Sequence, residues 1–218
     1  MKTINLSRQN TIINQYVAET RDAHYQQNRP LFRRNMRRIG WLMAYEISKT
    51  LHYKATDVRT PLGTAIVNMP ADDIVIATVL RAGLPFHEGF LDVFDHAENA
   101  FVSAYRLYTN SEHTEIGIKS EYMASPTLDG KTLIIADPML ATGGSMTATY
   151  EALTRNGTPA TVHLASVIAT NEGITTVSKA VPDTTTVWCA AIDGGMNEHK
   201  YIVPGFGDAG DLCFGAKR

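Results

Sequence analysis

Leu133-Ile134-Ile135-Ala136-Asp137-Pro138-Met139-Leu140-Ala141-Thr142-Gly143-Gly144-Ser145-Met146 carries the information that decides the fold. It begins as a buried strand, passes a carboxylate at the strand's carboxyl end, crosses a tight loop of small residues and enters a helix. In open α/β sheets, ligands sit at the carboxyl ends of the strands. Gly143 and Gly144 can take positive φ and let the backbone approach a ligand without a Cβ clash. Several N–H groups then point one way at the start of a helix, and the helix dipole adds to them, so the loop suits a phosphate. Thr142 and Ser145 add hydroxyl donors. Asp137 would repel a phosphate, so its expected partners are sugar hydroxyls or a metal ion. The plain alternative is a strand-to-helix turn in which Thr142 or Ser145 caps the helix. This loop matches neither G-x-x-x-x-G-K-[ST] nor G-x-G-x-x-G.

On either side of this segment lie other short apolar runs rich in Val and Ile. They are Ile74-Val75-Ile76-Ala77-Thr78-Val79-Leu80, Phe101-Val102-Ser103-Ala104-Tyr105, Val162-His163-Leu164-Ala165-Ser166-Val167-Ile168 and Val187-Trp188-Cys189-Ala190-Ala191. Near-continuous apolar strands suit a parallel sheet covered on both faces. Helical patterns at 84–94, 143–156 and 173–180 alternate with them, which predicts βαβ units. A further helix is expected over 31–51, with Arg33, Arg34, Arg37 and Arg38 on its solvated face. The 218 residues therefore predict one α/β domain, with a mostly parallel central sheet flanked by helices. Residues 1–30 read as an N-terminal arm or short helix that needs a partner to be ordered. Residues 107–131 and 192–218 do not fit the alternation, and long loops in compact domains are usually functional.

Composition narrows the partners. Twenty basic and 22 acidic residues give a net charge of −2, which offers no broad electrostatic footprint for nucleic acid or an anionic membrane. Any phosphate must be held by a local site. Two cysteines, Cys189 and Cys213, are too few for a disulfide framework or a thiolate metal site. The sequence has no apolar run of about 18 residues and no signal-peptide pattern at its start, so a cytoplasmic location is expected. The histidines do not cluster and read as surface or packing residues.

Two other motifs stand in order with the glycine loop: Val79-Leu80-Arg81-Ala82-Gly83-Leu84, and Tyr201-Ile202-Val203-Pro204-Gly205-Phe206-Gly207-Asp208-Ala209-Gly210-Asp211. Together the three resemble the type I phosphoribosyltransferases, and in detail their uracil-specific branch. Pro138 after Asp137, where most relatives carry a second acid, is that branch's own form. Leu31-Phe32-Arg33 and Ala44-Tyr45-Glu46 are similar to its first helix, so the resemblance runs over nearly the whole chain.

The resemblance implies transfer of the phosphoribosyl group of 5-phospho-α-D-ribose 1-diphosphate to uracil, giving UMP and pyrophosphate. It implies that Asp137, Pro138, Met139, Leu140, Ala141, Thr142, Gly143, Gly144 and Ser145 hold the ribose 5-phosphate end of the donor. Arg81 and Arg106 are expected on its diphosphate. Ile202, Gly207, Asp208 and Ala209 are expected on uracil, with Asp208 also facing the donor. Asp137, Arg81 and Asp208 are the expected catalytic groups. Mg²⁺ would be bound mainly through the pyrophosphate, residues 107–131 would form a closing hood, and residues 192–218 the base-binding region. A homo-oligomer and a GTP effector complete the expected partners.

The implied roles are chemically coherent. Arginine's planar fork suits a polyphosphate. Backbone N–H and C=O groups of a glycine-bearing loop can match uracil's acceptor–donor–acceptor edge, whereas cytosine would leave buried groups unpaired. Some positions depart from the branch. Leu107-Tyr108-Thr109-Asn110 stands where acids are usual after Arg106, Leu212 where arginine is usual, and Phe206 where leucine is usual. The rival reading is a regulator of pyrimidine genes that kept the fold and binds nucleotide or RNA, for which a basic face is missing. Phosphoribosyl transfer to purines or orotate is disfavoured by Pro138 and the 201–211 loop.

Overall fold

Alternate side chains of the apolar strands load both faces of one sheet, and each face recruits its own helices. The computed structural model describes residues 1–108 and 116–216, with backbone only for 104–121 where strand is assigned. The elements in chain order are β1 (Lys2–Asn5), α1 (Ile12–Arg21), α2 (Arg29–Ser48), β2 (Tyr53–Thr60), β3 (Gly63–Pro70), β4 (Ile74–Leu80), α3 (Leu84–Leu91), β5 (Glu98–Tyr108) and β6 (Ile116–Ala124). They continue with β7 (Thr132–Ala136), β8 (Met139–Leu140), α4 (Gly144–Leu153), β9 (Thr161–Thr170), α5 (Asn171–Ser178), β10 (Thr186–Asp193), β11 (Gly195–Met196), β12 (Ile202–Val203) and α6 (Ala209–Phe214).

The main sheet runs β1-β10-β9-β7-β4-β5-β6, with β8 added on β9. All its pairings are parallel except that of β6 with β5. From β4 the chain moves outward through α3 to β5. From β7 it moves the opposite way through α4 to β9 and β10. The order therefore reverses between β4 and β7, and the carboxyl ends of the strands at such a reversal are the usual ligand position in these sheets.

The strand alternation explains the two layers. Ile76, Ile134 and Trp188 face Phe32, Met36, Ile39 and Phe86 of α2 and α3. Their neighbours Val75, Leu133, Ile135 and Cys189 face Met146, Leu153 and Val177 of α4 and α5. Cys189 is fully buried, and burial pushes its thiol up to about 12. His163 is also a core residue; burial pushes it down to about 4, and Trp188 Nε1 donates to its Nδ1 at 3.2 Å. Among the described residues no helix is long and apolar enough to cross a membrane.

Several expectations need correction. The N-terminal segment is not left waiting for a partner: β1 pairs with β10, and Ile13 and Val17 of α1 enter the core. Of the α2 arginines, Arg34, Arg37 and Arg38 are exposed as expected and only Arg33 is half-buried, though several of them make contacts. Arg33 Nη1 donates to the Cys213 carbonyl at 2.6 Å, Arg37 pairs with Asp92, and Arg38 lies 5.0 Å from the Tyr16 ring centroid. Part of 107–131 is strand rather than loop, since β6 extends the sheet; residues 109–115 lie outside the described residues. The β2–β3 hairpin gives no core-facing signal because all of its residues are exposed.

One pair closes the neck of that hairpin. The His52 N–H donates to Asp72 Oδ2 at 2.6 Å, and His52 Nδ1 lies 2.9 Å from Asp72 Oδ1. The hydrogen bond to Asp72 raises the His52 pKa. Burial pushes Asp72 up, but its bonds from the His52 side chain and backbone, and from Thr132, outweigh this and hold it low. A raised imidazole stabilises fully below its unfolded value and loses the effect as pH climbs through the folded one. A lowered carboxyl stabilises above its unfolded value and fails on acidification. The clamp is therefore strongest from about pH 4 to 6.5. Amide protection factors in the hairpin, with the intrinsic pH dependence of exchange divided out, should be highest in that window and fall at alkaline pH. A His52→Gln variant should lose the alkaline part of this dependence.

Candidate active site

The 137–145 loop, called the phosphate loop for the role expected of it, is built on the end of β7 and braced by β9. The Asp137 N–H donates to the Ala165 carbonyl at 3.0 Å, and the Pro138 carbonyl accepts from Val167 and Ile168 at 3.1 and 3.0 Å. Met139 and Leu140 continue as β8 on β9. Asp137 is 8% exposed, and its Oδ1 accepts from the Met139 N–H at 3.3 Å. The chain then turns at Gly143 (φ 85°), which is the N-cap of α4 and provides no side-chain cap. Thr142 Oγ1 nevertheless accepts from the Gly144 N–H, the first of α4, at 3.5 Å, a long form of the hydroxyl contact that the plain-turn alternative named.

Sequence reading missed the support beneath this loop. Thr170 Oγ1 donates to the Ala141 carbonyl at 2.6 Å and accepts from the Gly173 N–H at 2.9 Å. A Cβ at Gly173 would lie 2.5 Å from the carbonyl oxygens of both Leu140 and Ala141. The start of α5 is therefore the floor of the phosphate loop. Thr170 is legible as a helix cap, but its contact with Ala141 joins segments far apart in sequence and leaves no local signal.

Arg81 follows β4, the neighbour of β7 whose end carries Asp137. Its Nη2 donates to Asp211 Oδ1 at 3.1 Å and to the Gly215 carbonyl at 3.2 Å. Arg106 was expected at the end of a strand. It lies inside β5, which runs on to Tyr108, and its side chain lies outside the described residues.

The 201–211 segment is ordered through the β11–β12 pairing, Gly195↔Val203 and Met196↔Ile202. Ile202 and Ala209 are buried. Gly207 is exposed with φ 90°. Asp208 caps α6, its Oδ1 accepting from the Asp211 N–H at 2.9 Å. Phe206, the unusual residue in this motif, packs edge-on against Phe32 of α2 at 5.7 Å. Leu212 packs partly buried against the core. A cleft of about 300 Å³ passes along this loop between Gln27, Arg29, Gly207, Asp208 and Asp211. It borders this segment, the expected base loop, and its lining includes no residue of 137–145.

An acid at the switch point, a glycine loop entering a helix, and a second glycine loop tied to the neighbouring strand by Arg81 define an α/β protein of the type I phosphoribosyltransferase kind. The chain belongs to the uracil phosphoribosyltransferase family, whose profile matches residues 7–216. A uracil phosphoribosyltransferase of Porphyromonas gingivalis is 51% identical over 217 residues, covering 100% of both chains. That of Methanothermobacter thermautotrophicus is 41% identical over 186 residues, 84% of this chain and 83% of its own. Among solved structures, the AQ2163 protein from Aquifex aeolicus superposes with a TM-score of 0.86 at 28% identity, covering 98% of each chain.

Proposed function

We infer that this protein transfers the phosphoribosyl group of 5-phospho-α-D-ribose 1-diphosphate to uracil, forming UMP and pyrophosphate in pyrimidine salvage. The observation that carries this reading is the bond from Arg81, beside the phosphate loop, to Asp211 of the helix that follows the base loop. It ties the residue that follows β4 to the end of the 201–211 segment, which supports a shared site. Residues 137–145 hold the 5-phosphate through backbone N–H groups and hydroxyls. Arg81, joined by Arg106, neutralises the departing diphosphate. Asp137 and Asp208 face the positive charge that grows on the ribose as its bond to the leaving group breaks. Ile202, Gly207 and Ala209 present the base loop to uracil.

Mg²⁺ prefers oxygen donors and commonly reaches a site through one or two carboxylates plus substrate phosphates. Asp137, at the end of β7 and 8% exposed, would be the carboxylate for that mode. Mg²⁺ supplies charge neutralisation on the diphosphate. Self-association is supported by the β2–β3 hairpin, which carries Leu62 99% and Ile66 76% exposed; apolar side chains standing free of the body mark interaction surfaces. A GTP effector rests on the family resemblance, and a cytoplasmic location on the expectation drawn from the sequence.

The test supplies the donor and Mg²⁺ with uracil, cytosine, orotate, hypoxanthine or xanthine in turn and measures pyrophosphate. Release with uracil alone is expected. Release with another base would keep the phosphate loop and overturn the reading of 201–211. Donor binding with no release for any base would favour the regulator.

A further inference from the structure

Outside the two ligand loops, one largely buried ion pair joins segments far apart in sequence. Arg21 ends α1 and Asp193 ends β10. Arg21 Nη2 donates to Asp193 Oδ1 at 2.6 Å, and Nη1 to Oδ2 at 2.8 Å. The two side chains are 22% and 6% exposed. Gly205 of the base loop is held inside this pair. Its N–H donates to Asp193 Oδ2 at 2.9 Å, and its carbonyl accepts from Arg21 Nη1 at 3.1 Å. The ion pair thus satisfies both backbone polar groups of one glycine.

That glycine is the pivot of the loop. Its φ is 54°, and a Cβ there would stand 2.1 Å from the Ile202 carbonyl oxygen. The turn folds back over Ile202 on one side and leads through Phe206 to Gly207, Asp208 and Ala209 on the other. A buried ion pair is a weak device for stability alone, since apolar groups of similar volume often serve as well. Apolar groups cannot fix an N–H and a carbonyl in space. The bidentate fork can, and the carboxyl end of α1 favours the cation placed there.

We infer that Arg21 and Asp193 are positioning residues for the base: by clamping Gly205 they set the backbone that reads uracil, without touching the substrate. This rests on the reading of the 201–211 segment as the base loop. It gives α1, which lies far from the phosphate loop in sequence, a part in substrate selection.

The experiment measures KM for uracil and for the donor, with melting temperatures, in the wild type and in Arg21→Gln, Arg21→Lys and Asp193→Asn. Arg21→Gln should raise the uracil KM about tenfold or more while the donor KM moves less than about twofold. Arg21→Lys should recover part of the loss, because a single ammonium cannot fork the carboxylate and reach the carbonyl as well. If Arg21→Gln does not fold, the other two variants carry the same comparison. Equal changes in both KM values, or a lowered melting temperature with both KM values unchanged, make the pair a structural tie and overturn the inference. Unchanged uracil KM in every folded variant does so too. A wild type that makes no UMP sinks the functional reading itself, and the inference with it.

Discussion

Asp137→Asn lowers turnover by about two to three orders of magnitude while the fold and uracil binding stay close to wild type. Asparagine has nearly the same shape, and its amide oxygen can still accept from the Met139 N–H as Asp137 Oδ1 does at 3.3 Å. What it lacks is the negative charge. That charge lies 8% exposed at the end of β7, where a field acts over little intervening water. As the ribose loses its leaving group, positive charge grows on the sugar, and a carboxylate stabilises that state more than the ground state. Only such differential interactions raise turnover. Steady-state kinetics with a thermal melt check the result. Near-normal turnover in a folded variant removes Asp137 from the chemistry.

Gly173→Ala weakens donor binding although Gly173 is proposed to touch no ligand. The added Cβ would stand 2.5 Å from two backbone carbonyls, those of Leu140 and Ala141. Neither can swing aside as a flexible side chain would, so the phosphate loop must rise or α5 must retreat. Overpacking of this kind costs about 1–3 kcal/mol. Here the strain falls on the backbone that is to wrap the 5-phosphate. The donor KM should rise about tenfold or more, the melting temperature should fall by several degrees, and the uracil KM should change least. A change confined to uracil would mean that α5 does not support the phosphate loop.

Legibility in the sequence followed the locality of each signal. β4 and β7 stand at the residues the apolar runs marked, 74–80 and 132–136, because a strand covered on both faces writes itself as a continuous apolar run. The phosphate loop was readable because strand, acid, glycines and helix are consecutive. The hairpin at 53–70 was not, since a ribbon without a core neighbour has no apolar face to display. β1 was missed because four residues are too few for a period. Thr170, Gly173 and the Arg21–Asp193 clamp were missed for a third reason: each acts on a segment remote in sequence. Phe206 looked like a departure and is explained by packing on Phe32, which only the fold brings near.

The pairing of β1 with β10, Lys2 opposite Thr186 and Asn5 opposite Cys189, also sets a timetable for synthesis. Residues 2–5 have no sheet to join until residue 189 has left the ribosome, and closing so long a loop is among the slower steps a chain can take. Until then α1 has no settled place beside β10, and Arg21 has no Asp193 to meet. The half proposed to grip the phosphate can assemble as it emerges, whereas the half proposed to choose the base waits for residues 186–211. On that reading, a nascent chain stalled before β10 would be a donor site without a selector.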